Sequence, residues 1–400
     1  MFATKKIRTI AHFEMKTLFR SWFFRIFAGL SIISLGIFNI FVFIETSDAP
    51  WLYRALSGNI PYVNLLILNL GQAIVAIFLA SEFLKQDSKN DTVEVIYARS
   101  MTNAEYIIGK SLGILYVFLL LNIFILLMGI GFSFMASDTS RGFGEYFLYP
   151  LLISVPTLVF ILGLSFSMMI IFKNQAITFI LLLGYIALTI FYLNNKFYHL
   201  FDYIAYKVPM MNSGITGFGN FQEILIHRSI YFLLGIGLIF LTIFKLNRLP
   251  QAKKLTSLPL FIGIIFIVGG GLLIDKYIGL KRGNVELKNE MIALNNQYAF
   301  TSRVEVLENT ISLDHQGEKI HAISELNFQN NSGSIIDTLI FNLNPSLKII
   351  SAKLNNQPIE FQRELQIIKF SPKASISMQS THNLSIEYEG SIDERTHFLD

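Results

Sequence analysis

The sequence predicts a two-part chain: an α-helical polytopic membrane domain of six spans plus a seventh, followed by a C-terminal antiparallel all-β extracytoplasmic domain. Two observations predict it. Seven apolar stretches, each close to the roughly 20 residues that a helix needs to cross a bilayer, fill positions 22–278. The rest of the chain is polar and alternates with the period of a β-strand. Composition agrees, since 52% of the residues are hydrophobic, 15% are charged and 37 are Phe, whereas soluble domains carry about 25% charged residues. With no cysteine, disulfides, thiolate metal sites and cysteine nucleophiles are excluded. A net charge of +4 is too small to suggest nucleic-acid binding, and most basic residues flank apolar runs.

Residues 1–21 read as an amphipathic helix in the cytoplasmic interface. Ile7, Ile10, Ala11, Met15, Leu18 and Trp22 share one face, and Lys5, Lys16 and Arg20 lie opposite. A basic leader that only enforces orientation is the other reading. The start does not resemble a cleavable signal peptide, because its basic region is long and no small-x-small site follows.

The expected spans are 22–44, 60–81, 107–135, 147–172, 174–193, 229–246 and 257–278, with loops rich in Asn, Asp, Gly and Lys. Placing the N-terminus in the cytoplasm puts Lys5, Lys6, Arg8, Lys16, Arg20, Arg25, Lys85, Lys89, Arg99, Lys110, Lys173, Lys245, Arg248, Lys253 and Lys254 on the inner side. Only Arg54, Arg141, Lys196, Lys207 and Arg228 remain outside, as the positive-inside rule requires. An odd seventh span, within 251–280, then carries the tail outward. The spans hold few polar groups, chiefly Asn64, Asn69, Gln72 and Asn122, which either join helices by hydrogen bonds or line a substrate path. No Asp, Glu, Lys or His falls in mid-span, so an ion relay has no evident carrier. The pairs Gly109 with Gly113, and Gly269 to Gly271, suggest close helix packing. The loop 194–227, with Pro209, Gly214, Gly217 and Gly219, has room for a short helical or re-entrant element.

The segment from Ser81 to Gly113 is the most informative. Asp91 with Glu94, and Thr102 with Glu105, have capping-box spacing, which predicts a short helix from about 92 and another from about 103. The apolar Val93, Val95, Ile96 and Tyr97 do not form a solvated face, so the first helix is expected to bury against a partner. Residues 281–299 read as a helical stalk. In 300–400 six strands are expected, at SRVEVLENTISLD, KIHAISELNFQNN, SIIDTLIFNLNP, LKIISAKLNNQPIEF, LQIIKFS and NLSIEYEG, with turns at HQGE, NNSG, NNQP and Pro372. They predict a sandwich or saddle that holds part of a domain and leaves Phe398-Leu399 as an exposed edge.

About the first 250 residues, the amphipathic entry helix and the six spans to Leu246, resemble the permease subunits of type-2 ABC exporters. The features that carry this are Glu82 at the end of the second span, Thr92 with Glu94, Ser100 through Glu105, and Gly109-Lys110 opening the third span. The usual acidic-plus-arginine pair is here Glu82 with Lys85, a departure. The resemblance implies a homodimer or heterodimer with a second permease, driven by a separate ABC ATPase subunit that binds ATP and Mg, while this chain binds no cofactor. Taken with the loop's own pattern, the candidates for coupling to the ATPase are Glu82, Asp91, Thr92, Glu94, Val95, Ile96, Tyr97, Arg99 and Glu105. The run from Phe300 to Glu389, above all HAISELNFQNNSGSIIDTLIFNLNPSLKI, resembles the first β-domain of aminopeptidase-N-like zinc metallopeptidases.

Neither resemblance brings catalysis. None of His12, His199, His227, His315, His321, His382 and His397 is followed by Glu and a second His at helical spacing, so a zinc peptidase site is not expected. IIGKS at Ile107–Ser111 ends like a phosphate loop, but Ala104 stands where its first glycine belongs. The acceptor patterns at Asn330 and Asn383 are short enough to arise by chance. The expectation is an export permease without enzymatic activity of its own, in the bilayer of a bacterial cytoplasmic (inner) membrane, with no nucleic-acid partner and with an external domain for binding or docking. The alternative is a membrane anchor or scaffold for an aminopeptidase-like extracytoplasmic domain, without transport.

Overall fold

A computed structural model describes residues 4–44, 59–89, 101–134, 143–193, 196–208, 210, 218, 220–246, 257–317, 319–393 and 395. Two compact units emerge, Met1–Met211 with Phe221–Gly279, and Asn212–Asn220 with Leu280–Asp400.

The first unit is helical. Its elements are α1 (Thr4–Arg20), α2 (Trp22–Ile44), α3 (Asn59–Lys89), α4 (Asn103–Ser133), α5 (Phe143–Tyr149), a π-helical turn (Pro150–Ser154), α6 (Val155–Phe172), α7 (Gln175–Phe191), a 3₁₀ turn (Phe197–His199), α8 (Phe221–Lys245) and the first half of α9 (Leu258–Gln297). Among the described residues six helical stretches, Trp22–Val42, Ile60–Glu82, Asn103–Ser133, Gly144–Phe172, Phe221–Lys245 and Leu258–Gln297, are long and apolar enough to cross a membrane. The expected span at 174–193 is shorter. The left-handed Lys173 ends α6, and Asn174 caps α7 by accepting from the Ala176 and Ile177 amides. That leaves 17 residues, roughly 25 Å of helix.

The core centres on α3, whose apolar window is 72% buried, while those of α2 and α9 are 11% buried. The expected face of α1 is the packed one, with Ala11, Glu14 and Leu18 buried. Trp22 departs from it, since it opens the next helix and is 75% exposed. This face lies on the first turns of α4. A Cβ on Gly109 would stand 2.7 Å from Ile10 Cβ, and one on Gly113 would stand 2.6 Å from Glu14 Cβ, so only glycine admits this approach. Lys110 and Glu14 form an ion pair of 3.5 Å across the contact. The capping box expected at Thr102 is formed, with Glu105 N donating to Thr102 Oγ1 (3.1 Å) and Thr102 N donating to Glu105 Oε2 (2.9 Å). Of the Gly269 to Gly271 cluster, Gly270 packs against Leu234, whereas Gly271 meets nothing within 4 Å.

The expected continuous span at 147–172 is interrupted. Pro150 and Pro156 lack N–H groups, so Pro156 gives no bond to the carbonyl four residues earlier. The chain widens there, and Val155 N–H bonds Pro150 O, a π-type closure.

The second unit is a β-sandwich. Its strands are β1 (Glu305–Gln316), β2 (Lys319–Gln329), β3 (Leu339–Asn342), β4 (Lys348–Leu354), β5 (Gln357–Pro358), β6 (Glu360–Glu364), β7 (Ile367–Ser371) and β8 (Thr381–Ser391). They form a five-stranded sheet, β1-β2-β8-β4-β5, and a three-stranded sheet, β3-β7-β6, with all pairs antiparallel. Phe328, Leu339, Ile349, Phe370, Leu384 and Ile386 join the two in one core. The expected LKIISAKLNNQPIEF strand is three strands, because Asn355 and Asn356 take positive φ (50° and 64°) and reverse the chain after β4. SIIDTLIFNLNP keeps only β3, with Ile336 bridging Ile376. Arg363 fastens the turn before β4, its guanidinium donating to Asn344 O (2.5 Å) and to Leu347 O. The stalk is the C-terminal half of α9, continuous with the apolar half. Leu294 is buried there, and Gln366 Nε2 donates to Met291 O at 2.8 Å. The exposed edge is β1, every residue of which is exposed. Phe398-Leu399 lies outside the described residues.

Two outcomes follow from this packing. Gly113→Leu should push α1 off α4 and lower stability by roughly 1–3 kcal/mol, read as a thermal shift in detergent, whereas Gly271→Leu should leave the melting temperature unchanged. Equal effects would contradict the helix contact.

In the β-unit, the Ser351 hydroxyl (2.9 Å) and the His321 imidazole (3.1 Å) hold the Glu387 carboxylate below its ordinary value of 4.5. A lowered carboxylate stabilises the fold above its unfolded value and loses that contribution as pH falls through the folded one. Stability should therefore decline below about pH 4.5 more steeply in the native protein than in Glu387→Gln. Identical acid profiles would exclude the coupling.

Candidate functional site: a closed polar ring among the helices

Four intramembrane candidates stand out in the sequence, Asn64, Asn69, Gln72 and Asn122, and all are buried, at 1%, 0%, 0% and 0% exposure. Three of them belong to one hydrogen-bonded chain. Ser154 Oγ donates to Asn122 Oδ1 (2.5 Å), Asn122 Nδ2 to Gln72 Oε1 (2.8 Å), and Gln72 Nε2 to Asn69 Oδ1 (2.7 Å). Asn69 Nδ2 then donates to Thr157 Oγ1 (3.0 Å) and to Ile204 O (2.5 Å). Asn64 lies apart from this chain and pairs with Asn39 of α2, whose Nδ2 donates to Asn64 Oδ1 at 2.8 Å. Asn39 is not among the expected polar residues, although it stands alone in an apolar run as Asn122 does and carries the same signal.

The residue that closes the ring is Arg228 of α8. The sequence places it outside the sixth span as a flanking charge. The helix instead starts at Phe221, more than two turns before the expected 229, so Arg228 is an interior residue, 2% exposed. Its Nε donates to Leu152 O (2.6 Å), its Nη1 to Tyr203 O (3.1 Å), and its Nη2 to Ile153 O (3.1 Å) and Thr157 Oγ1 (2.8 Å). Leu152 O is the carbonyl that Pro156 leaves without an amide partner. The guanidinium thus completes the π-turn and fixes the loop around Tyr203 to α6. Among the described residues no carboxylate forms an ion pair with Arg228. His227, next to it and in the second turn of α8, is also buried, and its Nε2 lies 3.2 Å from His199 O.

Chemically the ring is a set of neutral amides, hydroxyls and carbonyls around one fixed cation, with no nucleophile and base paired for covalent chemistry. It can hold α3, α4, α6 and α8 in register. Among the described residues no group of three or more His, Asp or Glu could hold a metal ion.

Of the coupling candidates, Glu82 is half-buried at the end of the apolar part of α3. Glu105 is 4% exposed, with its carboxylate engaged by the Thr102 cap. Asp91, Thr92, Glu94, Val95, Ile96, Tyr97 and Arg99 lie outside the described residues. The first turn of α4 is also tied to the end of α8, where Asn103 Nδ2 donates to Leu246 O at 2.6 Å.

No family model and no curated protein matches the chain. Among solved structures it is similar to the M1 zinc metallopeptidase from Deinococcus radiodurans, at 13% identity and a TM-score of 0.21, over 22% of this chain and 20% of that one. A two-domain M1 zinc metallopeptidase variant bound to L-arginine gives the same identity and score, with 21% of its length covered. The chain spans about a fifth of the length of these structures.

Replacing Arg228 by Met should orphan Leu152 O and weaken the bonds at Ile153 and Tyr203, at a cost of roughly 1–3 kcal/mol per group left unpaired. Arg228→Lys keeps a cation without the fork and should lose less. Melting temperatures in detergent read both, and a Met variant as stable as the native protein would remove Arg228 from the ring.

Proposed function

We propose that the chain is an integral membrane permease subunit of an ATP-driven ABC exporter. In this reading it pairs with a second permease, in a homodimer or heterodimer, and a separate ATPase supplies ATP and Mg chemistry. Its N-terminus is cytoplasmic, its β-unit is an extracytoplasmic binding or docking module, and the membrane is the bacterial cytoplasmic one.

The observation that carries the reading is the closed polar ring. A membrane anchor needs apolar helices alone, whereas this ring buries three hydrogen-bonded side chains from α3 and α4, Ser154 of the π-turn, Thr157 of α6 and an arginine from α8. Such groups are expensive in an apolar interior unless mutually satisfied, and a ring of them specifies one helix arrangement. The coupling route is equally concrete. The segment 90–100 leads into Thr102 and the capped start of α4, which is tied to α1 by Glu14–Lys110 and to α8 by Asn103. The same helix carries Asn122, a member of the ring. A push delivered before Thr102 would pass along α4 to the helix contacts that must rearrange during transport. The exposed apolar flanks of α2 and α9, including Leu30, Ile37, Phe261 and Ile265, suit lipid or a second permease.

Two measurements test this. Reporter fusions at Lys254 should read as cytoplasmic and fusions after Lys288 as external, and the same side for both would remove the external β-unit. Purification in mild detergent should recover an ATPase chain. Changing Val95, Ile96 and Tyr97 together to Asp should abolish that recovery and the stimulated ATP hydrolysis, through unpaired charge costing several kcal/mol at the contact, while insertion continues. Unaltered recovery and hydrolysis would refute the coupling role.

A further inference from the structure

The close approach of α1 to α4 leaves a groove of about 470 Å³ alongside the contact. Its walls are mainly apolar, from Ile7, Ala11 and Met15 of α1 and Leu112 and Tyr116 of α4. Three further residues line it, Thr4, Arg8 and His12, the last two one helical turn apart and both exposed. Neither has an ion-pair partner among the described residues. The helix around them is strongly basic, with Lys5, Lys6, Arg8, Lys16 and Arg20 against a single acid, Glu14, and that acid is taken by Lys110. Nearby Phe13 is 69% exposed, and the apolar α2 begins immediately after α1.

We propose that this groove is a binding site for an anionic phospholipid. An acyl chain lies against Ile7, Ala11, Met15, Leu112 and Tyr116, and the phosphate accepts hydrogen bonds from the Arg8 guanidinium and the His12 ring. The juxtaposition selects this occupant. An apolar trough alone would suit any hydrocarbon, and a basic helix alone would suit any anion. A molecule with both features and access to a helix lying beside a span is a membrane lipid with a negative headgroup. Arg favours phosphate because its fork presents several donors, and His12 supplies a donor in either protonation state. The inference rests on the membrane reading above. It adds a regulatory consequence, since the lipid would set the position of α1 against Gly109 and Gly113, and therefore the start of α4.

The test is photolabelling of the full chain in phosphatidylcholine vesicles, with a phosphatidylglycerol probe carrying a photoreactive acyl chain. Mapped adducts should fall on Ile7–Met15 and on Leu112–Tyr116, and unlabelled phosphatidylglycerol should compete while inorganic phosphate does not. Arg8→Gln combined with His12→Gln should cut this labelling about fivefold or more, with adducts on Phe261–Leu272 unchanged as the control for insertion and folding. Equal labelling by a phosphatidylcholine probe, competition by inorganic phosphate, or indifference to the double substitution would each overturn the site. Absence of adducts on Phe261–Leu272 in the native chain would instead overturn the membrane reading, so the two failures are distinguishable. Should the double variant lose the control adducts, the competition series on the native chain decides alone.

Discussion

The arrangement of the helical unit depends on one guanidinium. Pro156 removes an amide from the middle of a long apolar segment, and a carbonyl buried without a partner there would cost about as much as a strong hydrogen bond. Arg228 answers that defect from another helix and, in the same stroke, fixes the loop around Tyr203 and the hydroxyl of Thr157. Lysine could reach one of these acceptors, but the planar fork reaches several at once. The β-unit repeats the device. Arg363 bonds Asn344 and Leu347 at the turn where regular pairing fails. In both units an arginine stands where backbone regularity breaks, and it is held by carbonyls rather than by a carboxylate.

The second constraint is steric. At Gly109 and Gly113 the backbone of α4 accepts α1 at distances that no side chain would allow, and at Gly235 a Cβ would stand 2.6 Å from Phe160 N of α6. These contacts bind α4 to α1 and α8 to α6, and Arg228 lies about two turns before Gly235 on the same side of α8. The helical unit is thus assembled from tight pairs whose mutual register the polar ring sets. This division of labour matches apolar surroundings, where helices gain little from burying hydrocarbon against one another.

Much of this was legible in the sequence, and the gaps have physical reasons. Apolar runs gave the helices, and Thr102 with Glu105 gave the start of α4, because capping and hydropathy are local properties. Period-two alternation placed six strand regions, but Asn355-Asn356 concealed a reversal, since a run of strand-forming residues does not reveal a two-residue turn with positive φ until its partners are known. Asn69, Gln72 and Asn122 were identifiable as polar residues in apolar runs. Their connection was not, because it passes through Ser154, Thr157 and Arg228, which look ordinary in sequence. Arg228 was misplaced for a reason inherent in hydropathy: the residues before it, FQEILIH, are mixed, and a charge near the end of an apolar run reads as a flank until the neighbouring helix supplies the carbonyls that bury it.

The shortness of α7 would have a consequence for a membrane around the helical unit. At about 25 Å it falls short of the roughly 30 Å hydrocarbon thickness, while its neighbours exceed that length. Its outward residues Ile180, Leu181 and Leu188 are exposed. Lipid meeting that face would have to thin locally, at a fraction of a kcal/mol for each ångström of mismatch. In the proposed membrane setting the perimeter of the helical unit would be uneven in height at α7, which would favour filling that sector with short-chain lipid or with another protein surface of matching height.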